Sequence, residues 1–296
     1  MKKLLIACTT LAAAPLVSAQ SNVTVYGLYD AAVRHASNAG ANRESLRTME
    51  DGIFTGTRLG FRGREDLGDG LAAVFTLEAG FDPSAGTSLQ GTPTGDFGQA
   101  TSPTRFFGRE AHVGLRAPYG ALTLGRQYTV AHAMAARFQA QGNPNSLAHS
   151  LFSSHHIARQ DNMLRLDAKL GPVDLAASTT FGEQTSSTSA NGSWALSAGT
   201  TQGPVSLGAY FQKMKNLLGS ETREIVGLGG NVKLGEQVTV FGGAMQRSNA
   251  VSVQKNRAWT LGANLQANPF VTVSAEHYRD DQSGSAALDG ARTVSW

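Results

Sequence analysis

The sequence predicts an all-β chain folded as a transmembrane antiparallel β-barrel of about thirteen to fourteen strands, and three observations carry that expectation. Apolar and polar residues alternate with period two along most of the chain. Short and long connections follow each other by turns between these runs. No run of about 18 apolar residues follows the N-terminus, which excludes spanning helices. With 34 glycines, 9 prolines and 16% charged residues, the composition fits neither a disordered tail nor a helical membrane protein.

Residues 1–19 read as a secretory signal: Lys2-Lys3, an apolar stretch from Leu4 to Leu16, then Val17-Ser18-Ala19 with cleavage before Gln20. Too little apolar sequence precedes Cys8 for a lipoprotein box. The single cysteine leaves with the signal, so the barrel domain, 20–296, has no thiol and needs no disulfide. Loss of Lys2 and Lys3 takes the formal charge from +3 to +1, which gives no argument for nucleic acid as a partner.

The first strand is expected to place Val23, Val25, Tyr29, Ala31 and Val33 on one face and Thr24, Tyr26, Asp30 and Arg34 on the other. In Thr57–Arg64, Leu59 and Phe61 oppose Arg58, Arg62 and Arg64. Phe75 and Leu77 alternate with Thr76 and Glu78, Ala111, Val113 and Leu115 with His112, and Leu164, Leu166 and Leu170 with Arg165, Asp167 and Lys169. The pattern runs on through Val173–Phe181, Trp194–Thr201, Val205–Gln212, Val226–Leu234, Val238–Arg247, Trp259–Gln266 and Val271–Glu276. The apolar side chains are modest in number and small, which suits contact with lipid better than a shared core.

Short turns fall at 66–70, 118–120, 171–172, 202–204, 235–237 and 268–269, with longer polar segments between them. The segment from Tyr128 to about Ile157 has no Asp or Glu, one arginine (Arg137) and four histidines (His132, His149, His155, His156), with a helical turn expected at Val130, Met134 and Phe138. A stretch this long without alternation is expected to fold back into the barrel.

The stretches VTVYGLYDAA, TRLGFRGREDLGDGLAAVFTLEAGF and FFGREAHVGLRAPYGALTLGRQY resemble the Gram-negative general porins, particularly the beta-proteobacterial type. The resemblance implies a sixteen-stranded homotrimeric barrel in the outer membrane, bordered by lipid and lipopolysaccharide, that passes small hydrophilic solutes and ions through a water-filled pore. It also implies that the loop at about 128–158 folds inward as the constriction.

Arg58 and Arg62 share the lumen face of one strand, and the resemblance adds Arg126 and Arg159 to a basic cluster opposite the loop. Strict alternation would put Arg126 on the lipid side with Leu122 and Leu124, unless a bulge at Gly125 re-aims it. Glu78 and Glu110 are candidate wall acids, with Arg137 and His132 on the loop side. The expected selectivity is weakly to moderately anionic, with conductance rising as the loop histidines protonate below about pH 6.5. Tyr26, Tyr128, Trp194, Phe211 and Trp259 are expected in interfacial aromatic girdles.

No catalytic residue, cofactor or metal is assigned: His149, His155 and His156 lack a Cys or carboxylate at ligand spacing within the loop. Two rivals stay open, an outer-membrane barrel hydrolase using loop serines and histidines, and a non-conducting barrel serving as anchor or adhesin. Ala291–Trp296 begins a fourteenth strand shorter than the roughly 9–11 residues a span needs. The chain is therefore expected to be C-terminally truncated by roughly two and a half strands relative to sixteen, with a fourteen-stranded closure as the alternative.

Overall fold

The computed structural model describes residues 22–52, 54–90, 92–93, 97, 100–102, 105–140, 155–185, 187–284 and 289–295; the expected signal lies outside them. In chain order the strands begin with β1 (Asn22–Leu28), β2 (Ala31–Ala39), β3 (Glu44–Asp51), β4 (Arg58–Gly68) and β5 (Leu71–Gly80). Two short strands, β6 (Thr92–Pro93) and β7 (Ala100–Ser102), precede β8 (Glu110–Ala117) and β9 (Gly120–Tyr128). Then follow β10 (Arg159–Leu170), β11 (Val173–Thr180), β12 (Ser193–Gln202), β13 (Val205–Lys215) and β14 (Thr222–Leu234). The last are β15 (Val238–Asn249), β16 (Lys255–Asn268), β17 (Val271–Ser283) and β18 (Arg292–Ser295).

Fourteen of these form one antiparallel sheet in the order β1-β4-β5-β8-β9-β10 and then sequentially to β18. The pairs β2–β3 and β6–β7 are separate two-stranded ribbons inside long connections. Thirteen long strands and a short last one match the number read from the alternation. The sheet turns its apolar face outward to an unusual degree: Val25 is 61% exposed, Val113 57% and Leu228 63%, with comparable leucines and valines on nearly every strand. Leaving such side chains in water would forgo roughly 1.5–3 kcal/mol each, and a continuous band of them is the surface a bilayer covers.

The first strand is shorter than the alternation suggested. It ends at Leu28, and Ala31–Ala39 turns away to pair with Glu44–Asp51. The Asp30 carboxylate accepts the Phe54 and Thr55 N–H groups at 2.8 and 2.7 Å, while Asp30 N donates to Thr57 Oγ1 at 3.0 Å. Asp30 therefore ties the start of the first loop to its end, and Tyr29, Ala31 and Val33 do not continue the β1 face.

The segment after β9 enters the interior. Helix α1 (Val130–Ala135) is capped by Thr129, whose hydroxyl accepts His132 N–H, and a 3-10 turn follows at Ala136–Phe138. The loop base is closed by Thr129 N to Ala158 O at 3.0 Å and Thr129 Oγ1 to Ile157 O at 2.7 Å. Met134, Phe138 and Ile157 belong to a buried cluster with Tyr210, Met214, Ile225, Met245 and Tyr278, so the loop core is built against the inner face of β13–β17.

Two loops at the same end of the sheet are joined by one carboxylate. Glu221 accepts Val251 N–H at 2.9 Å, Ser252 N–H at 2.7 Å and Thr222 N–H at 2.8 Å. Partial burial pushes the Glu221 carboxyl up, but these donors more than reverse it and hold it at about 2. A lowered carboxylate pKa stabilises above the ordinary value of 4.5 and is lost as the pH falls towards 2. We expect Glu221→Gln to speed amide exchange at Val251 and Ser252 at pH 7. The wild type should show the same loosening only between pH 4.5 and 2. Equal exchange in variant and wild type at pH 7 would remove Glu221 as the tie.

Candidate functional site

Cross-strand partners share a face of the sheet, and two neighbouring rows separate the candidate residues. On the inner row Tyr26 pairs with Gly60, Gly60 with Glu78 and Glu78 with Glu110. Gly60 carries no side chain, and a Cβ there would stand 2.5 Å from the Tyr26 ring. Tyr26 therefore lies across Gly60 and donates its hydroxyl to Glu78 Oε2 at 2.9 Å. The Arg62 guanidinium stands 5.3 Å over the same ring.

Glu78 is the centre of a connected group. Arg58 Nε lies 4.0 Å from its Oε2, and Arg109 Nε donates to its Oε1 at 2.5 Å. Arg109 also donates to the Tyr128 hydroxyl at 3.2 Å, and Arg159 donates to that same oxygen while its guanidinium stacks 4.0 Å over the ring. The cluster thus joins Arg58, Glu78, Arg109, Tyr128 and Arg159, with Arg62 attached through Tyr26. Four guanidiniums meet two carboxylates, Glu78 and Glu110, the latter 3.2 Å from His112. Arg109 and Glu78 are 4% and 6% exposed, so this ion pair is held away from bulk water.

The alternation of the sequence does not point to Arg109. It sits one position before β8, outside the alternating run, and the available signal was its place beside Glu110 in FFGREAH. Tyr26 and Tyr128 are likewise corrected from girdle to cluster, whereas Trp194 and Trp259 are exposed on the outward face as expected.

Arg126 has partners of its own. It pairs with Ala111, at the end of a row running Val25–Phe61–Leu77–Ala111, and so shares the apolar face with Leu122 and Leu124. The backbone is irregular on both strands here: Asp161 and Asn162 together oppose Arg126, and Gly125 stands at φ 123°. Arg126 Nη1 bonds Asp161 at 2.9 Å, Arg105 grips the same carboxylate through both oxygens at 2.5 and 2.6 Å, and Arg126 Nε donates to Gly108 O at 2.6 Å.

On the loop side Arg137 lies against the wall, with Nη1 3.1 Å from where a Gly199 Cβ would be. His155 bonds Asp280 at 2.8 Å and His156 packs its ring on Tyr210, while His149 lies outside the described residues. His132 stacks on Tyr128 at 5.7 Å. Burial, assisted by the Arg159 charge, pushes its pKa down to about 4. It is therefore neutral from neutral pH down to about 4, and the expected gain of charge below pH 6.5 does not occur at this residue.

Two outcomes follow from this geometry. His132→Gln should leave any pH dependence of ion preference between pH 7.5 and 5 unchanged; reversal potentials that lose a pH step in this variant would contradict the neutral assignment. Arg109→Met leaves the buried Glu78 carboxylate only Tyr26 and the more distant Arg58 and should cost about 3 kcal/mol in urea unfolding, with most of the loss recovered in the Arg109→Met/Glu78→Gln double variant. An additive double variant would show that the pair is not coupled.

The comparisons agree with this architecture. A family model described as Gram-negative porin matches residues 5–295. An outer membrane porin protein of Bordetella pertussis is 38% identical over 145 residues, 44% of this chain and 34% of that protein. Outer membrane porin protein 32 of Delftia acidovorans is 41% identical over 128 residues, 43% of this chain and 32% of that one. The match spans about a third of the length of these curated relatives. Among solved structures, an anion-selective porin from Comamonas acidovorans has a TM-score of 0.69 at 20% identity, covering 91% of this chain and 81% of that chain. OmpF of Salmonella typhi has a TM-score of 0.62 at 11% identity, covering 87% and 78%. With a family model matched over nearly its whole length and the fold of the solved porins, the chain belongs to the Gram-negative porin family.

Proposed function

We propose that the chain forms a general diffusion pore of the outer membrane, passing small hydrophilic solutes and ions with a weak to moderate preference for anions. The observation that carries this reading is the charge imbalance of the inner wall. Arg58, Arg62, Arg109 and Arg159 stand against Glu78 and Glu110, and the facing loop has no Asp or Glu between Tyr128 and Ile157. The wall carboxylates beneath the loop are engaged in holding it: Glu276 with Ala140 N–H and the Thr260 hydroxyl, Asp280 with His155 and Asn256. Rings of one charge sign select ions at a narrow point, and the solved relative named anion-selective shares the fold.

Family membership supports a homotrimer, and the outward apolar band supports contact with outer-membrane lipid and lipopolysaccharide. The hydrolase alternative has one element, the His155–Asp280 pair at 2.8 Å, and the loop residues His149, Ser150 and Ser153 that it would also need lie outside the described residues.

Planar-bilayer recording of the refolded chain in a salt gradient tests the reading. Arg159→Ala should lower the anion-to-cation permeability ratio and Glu78→Gln should raise it, each by about two- to fivefold for one unit charge near the ion path. Cation preference in the wild type, or shifts of the same sign in the two variants, would overturn it.

A further inference from the structure

Four glycines lie side by side on the inner face where the loop docks. Gly199 on β12 pairs with Gly208 on β13, Gly208 with Gly229 on β14, and Gly229 with Gly243 on β15. Their occupant is visible. A Cβ on Gly208 would stand 2.6 Å from Met134 Sδ and 3.0 Å from Phe138 Cζ, and one on Gly229 would stand 2.5 Å from Phe138 Cγ. On Gly199 it would meet Met134 Cε and Arg137 Nη1, both at 3.1 Å, and on Gly243 it would meet Phe138 Cβ at 3.4 Å. Carbon atoms pack at about 3.5–4.0 Å, so the row leaves the loop closer to the wall than any side chain would permit.

We propose that this glycine row is the seat that fixes how far the constricting loop stands off the wall, and so sets the aperture left between the loop and the arginine cluster. The proposal rests on the pore reading above, but the seat itself is a packing statement that can be tested without current. The loop is held down on both sides of Met134, by Thr129 N donating to Ala158 O at 3.0 Å before it, and after it by Asn231 Nδ2 donating to Arg137 O at 3.1 Å and Ala140 N–H to Glu276 at 3.4 Å. A bump under α1 therefore cannot be absorbed by tilting the loop free of the wall. The remaining direction is inward, towards Tyr128 and Arg159. At Gly208 the nearest wall backbone is Ala198 O, at 3.3 Å from the Cβ position, so a methyl there presses mainly on the loop. At Gly229 the Gly242 carbonyl, at 2.7 Å, would also be strained, which makes Gly208 the better probe.

The test is Gly208→Ala in single-channel recording, together with amide exchange over residues 130–138. Conductance should fall by about 1.5-fold as the aperture narrows, with faster exchange in α1. The Gly208→Ala/Met134→Ala double variant should bring both back towards wild type, because the closest atom, the Met134 sulfur, is gone and only Phe138 Cζ, at 3.0 Å, still meets the methyl. Gly242→Ala, on the outward face of the same wall and paired with the exposed Leu261, should change neither. Wild-type conductance and exchange in Gly208→Ala would overturn the seat. If that variant does not refold, Phe138→Ala serves instead: removing the ring that rests on Gly229 should raise conductance, and an unchanged value would overturn the proposal. Absence of current from the wild-type chain would refute the pore reading, while the exchange comparison would still decide the seat.

Discussion

Everything in this molecule depends on a hydrogen-bonded ladder that gives each strand two opposite faces and tolerates no slip of one residue. Because paired residues share a face, the registers translate directly into chemistry. The row Val25–Phe61–Leu77–Ala111 lies on the apolar side, and the adjacent row Tyr26–Gly60–Glu78–Glu110 lies on the polar one. A shift by a single position would place Glu78 in lipid and Leu77 in the lumen, at a cost of several kcal/mol for the charge alone. The same logic separates Arg126, paired with Ala111, from Arg58, which shares the face of Gly60 and Arg62, although both are arginines near the same end of the sheet.

The interior is divided between two kinds of wall. On β4, β5, β9 and β10 it carries charge, arranged around the buried Glu78 carboxylate that Arg109, Arg58 and Tyr26 share. Glu78 lowers the net positive charge, but it also holds the guanidiniums that contact it in fixed positions, and a basic wall without it would be floppier as well as more positive. On β12–β15 one row of the wall, Gly199–Gly208–Gly229–Gly243, is bare, and the docked loop fills the space its side chains would take. The loop brings apolar contacts, the cation Arg137 and no carboxylate of its own between Tyr128 and Ile157.

Much of the architecture was legible in the sequence because a half-buried strand in lipid leaves a strict period of two. The number of strands, the turn positions and the helical turn at Val130, Met134 and Phe138 could all be read from that period and its interruption. What could not be read were the positions where the period says nothing. Arg109 lies just outside the β8 ladder, and its direction is fixed by a backbone bond to Glu78 O rather than by alternation. Asp30 looked like one more polar residue in a strand, yet its carboxylate binds two backbone N–H groups from Phe54 and Thr55 and ends that strand. The irregularity expected at Gly125 is present there as a φ of 123°, but the extra residue sits on β10, with Asn162 at φ 52°. A bulge is shared between two strands, and one sequence cannot say which of them carries it.

The bare wall also explains a choice that strand propensity opposes. Glycine in a strand interior costs roughly 0.5–1 kcal/mol relative to alanine, and here four stand in register on four successive strands. In a sheet whose only task was to span the membrane, alanine would serve better at each of them. The loss is offset by burial of Met134 and Phe138, worth roughly 1.5–3 kcal/mol per side chain, which is possible only if the backbone can be approached this closely. In the pore we propose, the arginine cluster and the glycine row thus solve separate problems with opposite means: one favours anions by holding charge in place, and the other sets how much room they have by carrying no side chain at all.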